Sequence, residues 1–476
     1  MSSYVALLRS VTVLATVTGL VAIAPAATAL GVAPPSADVG AAPPDGPPGP
    51  DTGMRKNGAC VVGGVLPNSD VMKPPPPSVA LQLTQAHKFS TGAGVVVAVI
   101  DTGVRAQLRL PGMIAGGDYV DTSGNGFDDC DGHGTIVAGI IGAAPAPTDG
   151  LVGVAPAAQL LAIRQTSGAY IPETVSSDPN DPAHSRTAGD VRTLARAIVH
   201  AANLGARVIN VSVVACVKVS APVDQSMLGG AVKYATDVKD ALVVAAAGNV
   251  NGTDSVAGQQ NNCRQNPDVD PVHPDDPRNW AAVTSISTPS WFDDSVLSVG
   301  FVSPDGARAE NSMAGPWVDV AAPGSGIVSL SSAGEGVING LPGSEGGLVP
   351  IAGTSYAAAY VSGLAALIRA RFPALSARQV ATRIITSAHA PARGVDNTVG
   401  RGIIDPVAAL TYSIPVNGQP AETVQAAQLS MPAPLAAPDA RPKYVAALVG
   451  GGVLGALLLG AVGLAAAGFQ RPGGPR

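Results

Sequence analysis

The sequence has little charge and few aromatic side chains: 13% of its 476 residues are Asp, Glu, Lys or Arg, and 4% are aromatic. No acidic residue occurs in residues 1–30 or 441–476, and these two ends hold five of the 28 basic residues. The body between them therefore has 23 positive and 34 negative charges, a net charge of −11. Because such a body repels phosphate groups, nucleic acid is excluded as a partner.

Cysteine is scarce as well, with four residues and no CxxC pair, so a cysteine-based metal site is not predicted. The hydrophobic fraction of 46% excludes a wholly disordered chain. In an exported chain, four cysteines indicate two disulfides, for which three pairings exist. We favour Cys60–Cys130 and Cys216–Cys263, which would join an N-terminal extension and a long insertion to the body.

The two ends of the chain are typical of membrane-directed segments. Residues 1–29 predict a secretory signal peptide, with Arg9 before an apolar stretch at 11–24; an uncleaved anchor is the alternative. Residues 444–469 contain no charge and are long enough to cross a hydrocarbon core of about 30 Å. With the body exported, this segment predicts one transmembrane helix followed by a cytoplasmic tail at 470–476.

Between the ends, two proline-rich segments flank a body with alternating strand and helix patterns. Residues 30–91 form the Pro-rich N-terminal extension, and 413–443 form a Pro/Ala-rich linker. In 92–412, continuous β-branched runs alternate with amphipathic patterns such as 190–204, which predicts an α/β fold: a mostly parallel sheet with helices on both faces. Strands are predicted at 95–100, 159–163, 207–213, 241–245 and 296–299.

Three further segments have compositions that predict a place on the surface. Residues 165–189 and 252–294 are rich in Asp, Asn, Pro and Ser, so we expect surface insertions there. Residues 33–60 are short for an independently folded inhibitory propeptide. We therefore expect them to remain as a permanent wrap, with removal as the alternative.

Three reactive side chains lie at the ends of predicted elements, among small residues. Asp101 follows the strand at 95–100, at the carboxyl end where open α/β sheets build their sites. His133 precedes an apolar helix at 136–141, and Ser355 opens a small-residue helix at 356–369. A nucleophilic serine needs a base, a carboxylate that orients the base, and donors for the oxyanion. Asn249, just after the strand at 241–245, can supply such a donor.

With these four local contexts in the order Asp, His, Ser, the sequence resembles the subtilisin family of serine proteases, the subtilases, from about Gly92 to Leu410. The resemblance implies a subtilisin-like fold and a serine endopeptidase that needs no cofactor. It implies that Asp101 orients the base, His133 is the general base and acid, Ser355 is the nucleophile and Asn249 is the oxyanion donor.

The same resemblance implies substrate-binding roles for Ser212, Val213 and Gly248. The sequence departs from the family pattern where residues 212–215 read Ser-Val-Val-Ala in place of a glycine pair. Branched side chains at that place predict a narrower cleft and slower or more selective proteolysis.

A metal is not expected, although an Asp-rich stretch before His133 offers an alternative. Its oxygen-bearing side chains could cluster around calcium. Their spacing is not that of an EF-hand, and we favour solvated turns. The residues are Asp121, Asn125, Asp128, Asp129 and Asp131.

The signal, the extension, the cysteine pairs, the linker and the single C-terminal span together resemble the mycosins. These are membrane-anchored subtilases associated with type VII secretion in mycobacteria and their relatives. The resemblance implies a catalytic domain on the extracytoplasmic side of the cell membrane, a polypeptide substrate, and membrane proteins of the secretion machinery as partners. It also implies a second role in keeping that machinery assembled. A mainly structural scaffold with restricted proteolysis is the alternative function.

Overall fold

The computed structural model describes residues 32–174, 187–220, 223–250, 263–270, 272, 275–415 and 441–467. The predicted signal peptide, the predicted cytoplasmic tail and most of the predicted linker lie outside the described residues. The chain divides into two compact units, Met1–Gly418 and Gln419–Arg476.

The strands are short, and those of the central sheet are mostly buried. In chain order the described strands are β1 (Met54–Lys56), β2 (Val96–Asp101), β3 (Ile114–Asp118), β4 (Gln159–Arg164), β5 (Tyr170–Pro172), β6 (Val208–Val211), β7 (Ala215–Lys218), β8 (Leu242–Ala246), β9 (Ser285–Thr288), β10 (Val296–Val302), β11 (Val318–Pro323), β12 (Ser329–Leu330), β13 (Val337–Ile338), β14 (Gly340–Pro342) and β15 (Leu348–Pro350).

Helices separate these strands and cover them. The described α-helices are α1 (Pro76–Ala80), α2 (Leu83–Ala86), α3 (His133–Gly142), α4 (Val191–Asn203), α5 (Ser226–Lys233), α6 (Thr354–Arg371), α7 (Ala377–Ser387), α8 (Pro406–Thr411) and α9 (Arg441–Ala467).

Seven parallel strands form the central sheet, in the order β11-β10-β8-β6-β2-β4-β3. This confirms the predicted α/β fold, and the five predicted strands are β2, β4, β6, β8 and β10. From β2 the chain goes to the edge strand β3 and returns to β4, which lies between β2 and β3. It then crosses to β6, β8, β10 and β11 on the other side of β2. The reversal of strand order beside β2 opens a crevice at the carboxyl ends of the strands, where ligands of α/β proteins bind.

The helices lie on both faces of this sheet. On one face, α3 and α6 pack against the alternate strand residues Val97 and Val99. On the other face, α4 and α5 pack against Ala98 and Ile100. The periodicity that predicts α4 follows from its one-sided burial, and Asp190 caps its first turn by accepting from the Thr193 N–H. In contrast, all residues of α6 from Thr354 to Arg369 are buried, which its Ala-rich composition allows.

The prediction of surface insertions is wrong for parts of both segments. Within 165–189, β5 pairs antiparallel with β1 of the N-terminal extension. Within 252–294, β9 is buried and pairs with β7. Polar composition does not exclude burial here because the polar groups find partners. The Asn266 amide donates to the carbonyls of Ser285 and Ala314 and accepts from the Thr284 N–H.

Residues 45–51 of the N-terminal extension lie against α4. Asp45 accepts from Asn203 and contacts the ring of His200, and Asp51 forms an ion pair with Arg196. Farther along, β1 pairs with β5, and Cys60 is joined to Cys130. The extension is therefore fixed to the body by ionic, backbone and covalent contacts.

The second unit contains α9, whose residues 443–465 form a candidate membrane span by length and composition. A helix of 23 residues is about 35 Å long, which exceeds a hydrocarbon core of about 30 Å.

Candidate active site

Asp101 is the last residue of β2, and its carboxylate is fully buried at the crevice. Its Oδ1 atom accepts from the Thr102 N–H at 2.7 Å and lies 2.7 Å from Nδ1 of His133. This is the contact in which a carboxylate fixes the tautomer and orientation of an imidazole. The structure therefore brings the first two predicted catalytic residues together.

His133 is the first residue of α3 and is 4% exposed. The helix starts in contact with the loop after β2: a Cβ atom on Gly134 would lie 1.9 Å from the carbonyl oxygen of Gly103. Only glycine allows the two backbones to approach this closely. The Gly-His-Gly pattern of the sequence thus has a direct steric cause, and the imidazole is held beside the end of β2.

Ser355 is the second residue of α6, the buried central helix. Its hydroxyl donates to the backbone carbonyl of Ser212 at 2.9 Å, and the Ser212 hydroxyl donates to the backbone carbonyl of Ser355 at 3.1 Å. The ring of the next residue, Tyr356, lies 5.3 Å from the ring of His133. The start of α6 and the start of α3 are therefore neighbours.

Asn249 follows β8 and is 2% exposed. Its Oδ1 atom accepts from the backbone N–H of Thr354 at 3.0 Å and from the Thr354 hydroxyl at 3.1 Å. Because these two donors hold the amide oxygen, the NH₂ group of Asn249 points away from Thr354. Thr354, the residue before Ser355, thus sets the direction in which the Asn249 NH₂ group can donate.

The structure also gathers the predicted substrate-binding residues around the same helix start. Ser212 and Val213 follow β6 and are 3% and 6% exposed. Gly248 has φ +105° and donates its N–H to the Thr354 hydroxyl at 3.3 Å. A cavity of about 60 Å³ lies beside Val213. It is lined by Gln165, Thr166, Gly189, Asp190, Val191, Leu194, Val213, Val214, Ala215 and Thr288.

The prediction of solvated turns is wrong for Asp129 and Asp131, which are 8% and 3% exposed. Both carboxylates accept from nearby hydroxyl and N–H groups, including Thr135 and Ser167. Burial raises the pKa of Asp129 to about 7, and burial likewise raises the pKa of Asp131. Composition alone missed these groups. Both lie within the four residues before His133, and this position was the feature from which their burial near the site could have been predicted.

In the rest of the Asp-rich stretch, Asp128 and Asp121 have partners within the protein. Asp128 forms an ion pair with Arg164 at 2.8 Å, and Asp121 accepts from Ser123. In the part of the chain that the structure describes, no three His, Cys, Asp or Glu side chains gather as a metal site would require.

The four cysteines form two bonded pairs, and these are the pairs favoured from the sequence. Cys60 and Cys130 have a Cα–Cα distance of 4.4 Å, and Cys216 and Cys263 one of 5.0 Å. Cys130 lies three residues before His133. A Cβ atom on Gly248 would lie 3.4 Å from the sulfur of Cys263, so each disulfide adjoins one side of the site.

The chain matches the subtilase family, peptidase S8, over residues 92–402. It therefore belongs to the subtilases, and it is a serine endopeptidase by that membership. The resemblance predicted from the sequence is confirmed.

Within that family, the chain is similar to the mycosins. It is 51% identical to Mycosin-1 of Mycobacterium tuberculosis, over 87% of this chain and 90% of that relative. The crystal structure of MycP1 from Mycobacterium smegmatis matches with 50% identity and a TM-score of 0.75, over 81% of this chain and 96% of that one. A chain of the intact ESX-5 inner membrane complex matches with 46% identity and a TM-score of 0.77, over 92% and 100%.

Proposed function

We propose that this protein hydrolyses peptide bonds through an acyl-enzyme formed on Ser355. In the first step the Ser355 oxygen attacks the scissile carbonyl carbon, and His133 takes the hydroxyl proton on Nε2. The 2.7 Å contact between Asp101 Oδ1 and His133 Nδ1 carries this proposal, because it orients the base and stabilises the imidazolium. To enter the reaction, the hydroxyl turns from the Ser212 carbonyl toward His133.

Negative charge then develops on the substrate carbonyl oxygen, and the second part of the proposal concerns its stabilisation. The Asn249 NH₂ group is the side-chain donor, with its orientation fixed by Thr354. The N-terminus of α6 adds a positive partial charge beside the same oxygen. When the intermediate collapses, His133 gives its proton to the leaving amine. Water, activated by His133, then releases the acyl group from Ser355.

The test is covalent labelling of the full-length protein, purified in detergent, with a fluorophosphonate. We expect one modified residue, Ser355, identified by peptide mapping, and no labelling in Ser355→Ala. The variant His133→Ala should label at least about 100-fold more slowly, since its serine has no base. Labelling of a different residue, or equal labelling of wild type and His133→Ala, would contradict the proposed triad.

We further propose that the protein acts at the outer face of the cell membrane as part of a type VII secretion system. In this proposal the predicted signal exports the body, and α9 anchors it through residues 443–465. Two relatives support it. MycP1 is described as an essential component of the type VII (ESX-1) secretion system, and another chain belongs to the ESX-5 inner membrane complex.

The same relatives support a second function, that of a structural subunit of the secretion complex. The variant Ser355→Ala separates the two functions. If proteolysis is lost and the membrane complex still assembles in a strain carrying only the variant, the two roles are independent. If the complex is lost as well, assembly depends on the intact site.

A further inference from the structure

Asp129 is a buried carboxylate that contacts both segments supplying the proposed base and its orienting carboxylate. It accepts four hydrogen bonds. Oδ1 accepts from the Thr102 hydroxyl and the Gly132 N–H, both at 2.8 Å. Oδ2 accepts from the N–H of Thr135 at 2.9 Å and from its hydroxyl at 2.6 Å. Thr102 directly follows Asp101, and the other two residues flank His133.

The Thr102 hydroxyl links the two segments. It accepts from the Gly134 N–H at 2.9 Å while it donates to Asp129 at 2.8 Å. The backbone N–H that follows His133 is thus connected through Thr102 to Asp129, in parallel with the direct contact between His133 and Asp101. Removing the hydroxyl would leave a buried N–H and a buried carboxylate each without one partner, which is costly.

Helix α3 depends on this arrangement for its first turn. The residue at its N-terminal cap is Gly132, which offers no side-chain acceptor. The carboxylate of Asp129 supplies the acceptor from three residues earlier in the chain, and negative charge at a helix N-terminus is favourable. The neighbouring residues are held elsewhere: Cys130 is bonded to Cys60, and Asp131 accepts from Ser167 and the Gly168 N–H.

We propose that Asp129 is a positioning residue for the proposed triad: it holds the first turn of α3 against the end of β2 and so fixes the imidazole of His133 on Asp101. The proposal rests on the proposed function. Asp129 acts through Thr102 and the helix start, and it does not touch the reacting atoms. A purely structural carboxylate would instead support the fold without affecting the orientation of His133.

A pair of substitutions at Thr102 separates these two cases while leaving Asp129 in place. Thr102→Val keeps the shape of the side chain and removes the hydroxyl, whereas Thr102→Ser keeps the hydroxyl and removes a methyl group. Asp129→Asn tests the carboxylate itself, because its NH₂ group cannot accept from Thr135. The matched control is Asp405→Asn, which alters a carboxylate that caps α8 by accepting from the Ala408 N–H.

The first readout is the second-order rate of fluorophosphonate labelling at Ser355 in the detergent-purified full-length protein. We expect Thr102→Val and Asp129→Asn to lower this rate about 10- to 100-fold, the size expected for a misplaced base. Thr102→Ser should stay within about threefold of wild type, and Asp405→Asn should label like wild type. Thermal melting checks that each variant is folded.

The second readout needs no reaction and separates failure of this inference from failure of the proposed function. In ¹⁵N-histidine-labelled protein, the Nδ1 proton of His133 is assigned by its absence from His133→Ala. We expect this signal in wild type and Thr102→Ser, and its loss through exchange in Thr102→Val and Asp129→Asn. If wild type fails to label, the proposed function fails, and this signal still decides the role of Asp129.

The inference is overturned if folded Thr102→Val and Thr102→Ser give the same labelling rate and the same proton signal. It is also overturned if folded Asp129→Asn matches wild type in both readouts.

Discussion

The base side of the site, around Asp101 and His133, is built with carboxylates, whereas the nucleophile side, around Ser355 and Asn249, is built with amides, hydroxyls and carbonyls. On the base side, Asp129 and Asp131 are buried within the four residues before His133. On the nucleophile side, Asn249 accepts from the N–H and hydroxyl of Thr354, and Ser355 donates to the carbonyl of Ser212.

This difference follows from the charge that each side must stabilise. The base side becomes positive when His133 takes a proton, so nearby carboxylates favour the reaction. The nucleophile side develops an oxyanion, which a carboxylate would repel and which neutral N–H donors stabilise. We therefore expect the base side to respond to pH and to the loss of charge, and the nucleophile side to respond to the loss of single donors.

The largest expected effect is on the nucleophile side, in Asn249→Leu. Leucine has a similar volume and no donor, so kcat should fall about 100- to 1000-fold with little change in KM, the magnitude typical of losing one oxyanion donor. Steady-state kinetics on a cleaved peptide measures both constants. The exposed Asn57→Leu is the control and should behave like wild type. A fall of less than tenfold would show that Asn249 is not the main oxyanion donor.

The next comparison is between the disulfide Cys60–Cys130 on the base side and the disulfide Cys216–Cys263 on the nucleophile side. Their sequence separations, 70 and 47 residues, are similar, so loss of either bond should lower the free energy of unfolding by about 2–4 kcal/mol. The kinetic effects should differ. Cys60→Ser with Cys130→Ser frees the loop before His133 and should lower kcat. Cys216→Ser with Cys263→Ser loosens the wall beside Gly248 and should raise KM.

Urea unfolding gives the stability of both double variants, and peptide kinetics gives the two constants. Identical kinetic changes in the two double variants would mean that the disulfides act on the whole fold and not on separate sides of the site.

Elements with a clear local pattern can be predicted from the sequence, and elements whose pattern is interrupted cannot. The buried strands β2, β4, β6, β8 and β10 are predictable from continuous apolar runs, and α4 is predictable from its helical periodicity. The edge strands β3 and β11 were not predicted. In β3, Gly116 and Gly117 interrupt the apolar pattern, because a Cβ atom on Gly116 would lie 2.6 Å from the Ile163 side chain and Gly117 has φ +102°.

For the site, Asp101, His133 and Ser355 each lie within two residues of a glycine, and such local patterns can be recognised in the sequence because close backbone contacts restrict it. The hydrogen bond between Thr102 and Asp129 could not be predicted, since it joins residues 27 positions apart in the chain. The sequence does not show whether an Asp is buried or exposed to solvent, because this depends on the residues that surround it in the fold.

The smallest expected effect is a change in the pH dependence of stability on the base side. Burial raises the pKa of Asp129 from its ordinary value of 3.8 to about 7, so the folded protein holds this proton more tightly than the unfolded chain. The associated stability is complete below about pH 4 and is lost as the pH rises through about 7. Asparagine at this position has no such dependence. The melting temperature of wild type should therefore fall relative to that of Asp129→Asn between about pH 5 and pH 8.

Differential scanning calorimetry across this range measures the difference, and Asp131, which is present in both proteins, cancels from it. Asp224→Asn should show no such trend between pH 5 and pH 8, because hydrogen bonds from the N–H and hydroxyl of Ser226 lower the pKa of this exposed carboxylate and it stays ionised over that range. If the difference in melting temperature between wild type and Asp129→Asn is constant with pH, Asp129 titrates as in the unfolded chain. Burial of its charge then has no net effect on the free energy of unfolding. If the melting temperature of wild type falls relative to that of Asp129→Asn as the pH rises, ionisation of Asp129 destabilises the base side. The carboxylate that positions His133 would then reduce the stability of the fold that holds it.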